Sequence, residues 1–110
     1  MSQSPDSMQA TVLEPATLVA FQEGAVVSRT LLKQKHGNLT AFAFGAGQGL
    51  SEHSAPFAAT LVGLAGQAEV TIGGKLHQLG PGQVVIMPAN VPHALKAISD
   101  FRMLLVMIRD

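Results

Sequence analysis

Residues 67–79 read Gln-Ala-Glu-Val-Thr-Ile-Gly-Gly-Lys-Leu-His-Gln-Leu. Gly73-Gly74 separates two short runs of strand-forming residues. Both glycines accept φ > 0 at little cost, which a tight two-residue hairpin requires. Gln67 to Ile72 and Lys75 to Leu79 are therefore expected as antiparallel strands. Gly80-Pro81-Gly82 follows as a tight turn into Gln83 to Met87, and Pro88 stops that run.

The same rhythm of short β-rich runs and Gly/Pro breaks extends in both directions. Toward the carboxyl end, Val91 to Ile98 and Phe101 to Ile108 flank the turn Ser99-Asp100. Toward the amino end lie Ala59 to Leu64, a strand through His53 that ends at Pro56, and Leu39 to Phe44. In the last of these, Leu39, Ala41 and Ala43 take one face and Thr40, Phe42 and Phe44 the other. The turn Lys33 to Asn38 precedes it, and Ala25 to Lys33 and Thr17 to Phe21 are expected as strands near a sheet edge. Residues 1–15 read as a flexible polar arm, with Pro5 and Pro15 blocking regular structure, and residues 16–110 as one domain. The total is roughly nine or ten short strands without a substantial helix, an all-β antiparallel sandwich or barrel. Phe101 to Ile108 is apolar on both faces apart from Arg102, so it should bury both, one in the core and one against another element or subunit.

Composition narrows the function classes. Charged residues make up 13% of the chain, about half the ordinary share of ~25%, and hydrophobic residues 47%. That excludes a disordered chain or a coiled coil. The formal net charge is zero and the basic residues are scattered, so neither nucleic acid nor an anionic membrane is expected as a partner. With no Cys, disulfides, thiolate metal sites and thiol catalysis are excluded. The first residues lack the basic start and apolar run of a signal peptide, and a cytoplasmic location is the default expectation. Low surface charge favours self-association. A homodimer is expected, with Ala16 to Lys33 as the segment to pair across the interface.

Two spacings carry a family resemblance. Gly47-x5-His53-x-Ala55-x3-Ala59-x6-Gly66 resembles the first cupin motif, G-x5-H-x-H-x3-E-x6-G. Gly82-x5-Pro88-x-Asn90-x2-His93-x3-Ala97 resembles the second, G-x5-P-x-G-x2-H-x3-N, with 15 residues between the two. The chain is similar to small single-domain, RmlC-like cupins of the quercetin-dioxygenase-like kind. The resemblance implies a jelly-roll β-barrel, often dimeric. It also implies a metal site of three His and one Glu, whose positions here read His53, Ala55, Ala59 and His93. Two of the four are methyl groups that coordinate nothing, while a catalytic metal wants about three protein ligands.

His77 and Glu52 are the candidates for a third ligand. His77 points into the barrel if Leu79 does and outward if Leu76 does. Glu52 neighbours His53 and would reach inward only through a bulge. His36 sits in a Lys-rich turn and is expected to be solvated. Two functions follow. The first is a binding module that holds a small, largely apolar organic ligand. His53 and His93 are its polar contacts, Ala55 and Ala59 give it room, and His77 is a further pocket candidate. The second is a dioxygenase- or isomerase-like metalloenzyme using His53, His93 and a third ligand with Fe, Mn, Ni, Cu or Zn.

Overall fold

A computed structural model describes residues 8–109. After one helical turn, α1 (Pro15–Leu18), come nine strands: β1 (Val26–Gln34), β2 (Gly37–Phe44), β3 (Gly49–His53), β4 (Ala59–Ala65), β5 (Ala68–Ile72), β6 (Lys75–Leu79), β7 (Val84–Met87), β8 (His93–Ala97) and β9 (Phe101–Ile108). They form a five-stranded sheet in the order β1-β2-β9-β4-β7 and a four-stranded sheet in the order β3-β8-β5-β6. Each pairing is antiparallel. This is the expected jelly-roll barrel, and the Gly73-Gly74 hairpin lies where its spacing places it, with φ of +57° and +82°.

The core lies between the sheets. Phe44, Leu61, Val70, Phe101 and Met103 are its largest fully buried side chains. Burial alternates along β4, β5, β8 and the first half of β9, so a single register decides which half of each is buried. A second apolar layer covers the outer face of the five-stranded sheet. There Val19, Leu31, Ala41 and Ala43 are buried, and Met8, Leu13, Leu18, Phe21 and Leu104 pack on them. The apolar outer face of β9 is explained in part by this layer. Arg102 closes it, donating from Nε to the Val19 carbonyl at 3.2 Å and laying its guanidinium 4.1 Å from the Phe21 ring centroid.

The expected strand over Thr17 to Phe21 is not formed. Pro15 stands at the start of a helical turn, where its fixed φ suits the first helical position and its missing N–H costs nothing. Thr17 donates both its backbone N–H and its hydroxyl to the Glu14 carbonyl. Of the expected polar arm, residues 1–7 lie outside the described residues, while Met8 and Leu13 belong to the second apolar layer. The strand expected from Val91 begins instead at His93. Pro92 has no N–H for a ladder, and its carbonyl accepts from the Gly73 N–H at 2.8 Å.

Candidate functional site

His53 closes β3 and His93 opens β8, and the two are Cα partners across the ladder. Directly opposed residues project to the same face, so both imidazoles rise from the four-stranded sheet at one end of the barrel. Each ring curls back on its own chain. His53 Nδ1 lies 2.7 Å from the Ser51 carbonyl oxygen, and His93 Nδ1 lies 3.1 Å from that of Val91. A carbonyl oxygen only accepts, so each Nδ1 donates and each Nε2 is left to face the other ring. The two Nε2 atoms stand 3.2 Å apart, with the rings edge to face at 72°. His93 is 6% exposed, whereas His53 is exposed, so the pair spans the step from solvent to interior.

Beneath it is a cavity of about 140 Å³. Its walls include Ala55, Ala59, Leu61, Leu95, Met87 and Met107. Ala59 has Met87 as Cα partner on one side and Met107 on the other, so a methyl group sits between two flexible thioether chains. Flexible thioether chains fill irregular space well, and here Met87, Met103 and Met107 are both core and cavity wall. Leu61 and Leu95 line the cavity, whereas Ile98 is half-exposed at the turn after β8 and does not.

The loops at the two ends of β7 are each held by one detail, the first over the histidines and the second at the far end. Asn90 stands where the motif has Gly, and its φ is +65°. Asn is the non-glycine residue that tolerates this region best. Its N–H donates to the Ala55 carbonyl at 2.7 Å, tying the β7–β8 loop to the segment after β3. Gln83, in its turn after Gly82, accepts the Gly80 N–H on its side-chain oxygen at 2.8 Å.

The third-ligand candidates lie elsewhere. Leu79 is buried, and His77 has the fully buried Val70 as its Cα partner, which places His77 on the inner face. It is half-buried in β6, two strands from β8, and does not line the cavity. A register irregularity does occur between Leu50 and His53, beside Glu52, yet Glu52 is exposed and outside the cavity wall. His36 is exposed in its turn.

The motifs imply a transition metal at this point of the barrel. Two imidazole nitrogens bound to one tetrahedral metal at about 2.0–2.1 Å stand about 3.3 Å apart, which the His53–His93 spacing matches. No further His, Cys, Asp or Glu among the described residues joins them in a group of three. The wall positions facing the pair carry only methyl, aliphatic and thioether groups. The donor set therefore stops at two and does not fit a resident metal centre.

A cupin-domain family model matches residues 40–109, which contain the whole site. No curated protein matches the chain. Among solved structures, a conserved protein of unknown function from Streptococcus pyogenes is 37% identical over 92% of this chain and 89% of its own, with a TM-score of 0.86. A cupin superfamily protein from Desulfitobacterium hafniense is 27% identical over 93% and 94%, also at 0.86. A Cupin 2 conserved barrel domain protein from Leptotrichia buccalis is 33% identical over 86% of this chain and 46% of its own, at 0.82. In its motif spacing, its strand order and its match to the family model, the chain belongs to the cupin family.

Proposed function

We propose that this cupin binds a small, largely apolar organic molecule in the barrel interior, with its polar head between His53 and His93 and without a resident metal. The observation that carries the reading is the apolar cavity of about 140 Å³ that ends on two imidazole nitrogens. An engineered cavity of about 150 Å³ holds a benzene molecule, so the space suits a body of one six-membered ring. Sites of this kind are mostly apolar walls with a few placed polar groups.

The metalloenzyme reading with Fe, Mn, Ni, Cu or Zn keeps one favourable observation, the 3.2 Å spacing of the Nε2 pair. Metal analysis of protein purified without a His tag decides between the two. Substoichiometric metal, with no rise in melting temperature on adding Mn, Ni or Zn, supports the binding module. One tightly held ion per chain overturns it. We further propose that the protein is a homodimer, supported by its zero net charge and by the exposed apolar side chains of β7. A cytoplasmic location is proposed on the composition alone. No helix among the described residues is long and apolar enough to cross a membrane.

A further inference from the structure

The side chains that wall the cavity differ in kind from those that fill the rest of the core. Away from the cavity the core is stiff: Phe44, Val70 and Phe101 are fully buried, and aromatic and β-branched chains have few rotamers to exchange. No Val, Ile, Thr or Phe lines the cavity, although β4, β7 and β9, which supply much of its wall, all contain such residues. Three of the chain's five methionines stand there instead. Met87 and Met107 flank the methyl group of Ala59 as its Cα partners on either side. Met103 lies on the same face of β9 as Met107, is fully buried, and meets the cavity from the core side. Its partner in β4 is Gly63, so no side chain stands beside it on that strand. A methionine has three rotatable bonds and a soft thioether, so it fills or vacates irregular space at low cost. Met107 is only half-buried, which leaves its chain somewhere to go. The volume of about 140 Å³ is therefore that of one arrangement of three movable chains.

We infer that the site admits a range of apolar bodies, a single ring carrying alkyl substituents of differing length, and that Met87, Met103 and Met107 set this breadth. The breadth rests on the proposed binding function and defines the ligand class the pocket takes. Sites that serve several ligands use flexible, Met-rich walls because such walls repack around each of them. A stiff wall of the same volume would favour one size and reject the next, since an extra methylene in a packed interior forces strained rotamers. Leu61 and Leu105, paired across β4 and β9 between the methionine rows, give the ring a fixed surface while the thioether chains move around its substituent.

The test uses the full chain and four probes that share one ring: toluene, ethylbenzene, propylbenzene and butylbenzene. Affinities are read by calorimetry or by ligand-observed NMR. Each methylene that finds space in a yielding wall should tighten binding about fourfold, so affinity should climb through the series. The triple variant Met87→Leu, Met103→Leu, Met107→Leu keeps the core volume and should keep the fold. In it toluene should still bind, whereas butylbenzene should bind about tenfold more weakly than toluene. A second measurement needs no variant for its outcome. In wild type labelled with carbon-13 at the methionine methyl groups, the signals of Met87, Met103 and Met107 should shift further as the alkyl chain lengthens. The signal of Met8, which packs in the second apolar layer, should stay in place. Wild-type affinity that peaks at toluene overturns the breadth. A folded triple variant that keeps the wild-type climb, or cavity methionine signals that ignore chain length, overturns the role given to the three methionines. Each of these results leaves the pocket reading standing. If the triple variant does not fold, the wild-type series and the methyl signals decide. Failure of all four probes in wild type, toluene included, overturns the pocket reading and this inference with it.

Discussion

At positions 55 and 59 the chain carries a methyl group where the motif of its family has a coordinating side chain, and both methyls line the cavity under His53 and His93. If the backbone has kept the ligand geometry, Ala55→His with Ala59→Glu should complete a three-His, one-Glu set. At a hundredfold excess of metal over its Kd the added stability is about 2.7 kcal/mol. For a chain of this length that is a rise of about ten degrees or more. The larger side chains also enter a packed interior, and overpacking costs about 1–3 kcal/mol. Thermal melts should therefore place the apo double mutant below wild type and restore it with Mn, Ni or Zn, while wild type moves far less. A mutant that never responds would show that Ala55 and Ala59 do not face the histidines as the motif spacing implies. The positions of His53 and His93 were legible because motif spacing fixes which strand end each occupies. The orientation of their rings was not, because it depends on where the carbonyls of Ser51 and Val91 stand to accept from Nδ1. The face taken by His77 was equally hidden, since alternation within β6 gives two choices and only the pairing with Val70 decides.

Strands and turns carry different amounts of this information. The Gly73-Gly74 hairpin was legible because its turn demands a backbone that glycine alone adopts freely. Asn90 demands nearly the same conformation but advertises it less, since Asn is common at many loop positions. Replacing it tests the strain directly. Asn90→Gly should be close to neutral, and Asn90→Val should lower stability by about 1–2 kcal/mol, the cost of a left-handed backbone for a side chain that resists it. Urea melts read both, and equal stability of the two variants would mean the loop relaxes out of this geometry. The double-sided apolar character of β9 was visible in the sequence, but part of what covers it was not. Residues 8–21 read as an arm and a strand because Pro15 looks like a break, whereas it starts the turn that sends Leu18 and Val19 down onto the sheet. Arg102 holds that segment by a hydrogen bond and a ring contact. A charged hydrogen bond is worth about 1.5–3 kcal/mol and a cation–π contact about 0.5–1 kcal/mol at a partly exposed site. Arg102→Ala should accordingly speed proteolytic cleavage within residues 8–21 while the barrel resists. Unchanged cleavage would show that apolar packing alone keeps the segment down.

Across the whole molecule the outer face of the five-stranded sheet divides into a covered and an uncovered half. Residues 8–21 lie over the half built from β1, β2 and part of β9. On the other half, Val84 and Ile86 in β7 are 57% and 62% exposed, and Ile108 at the end of β9 is 69% exposed. Val84 is paired with Val62, and Ile86 with Thr60, so the uncovered half carries no charge in these rows. The segment Ala16 to Lys33, expected to pair across a dimer, turns Val19 and Leu31 into its own chain, and what β1 offers a second copy is a strand edge with no neighbour among the described residues. A homodimer can therefore form through the edge of β1 or over the face of β7, and the exposed apolar area favours the face, because burying it gains about 25 cal/mol for each Å² of apolar surface. Light scattering at tens of micromolar should give a dimer for wild type. Ile86→Lys places a charge at the centre of the uncovered half and should give a monomer whose melting temperature no longer depends on concentration. A dimer that survives Ile86→Lys would move the interface to the β1 edge, and a wild-type monomer at that concentration would remove the dimer altogether.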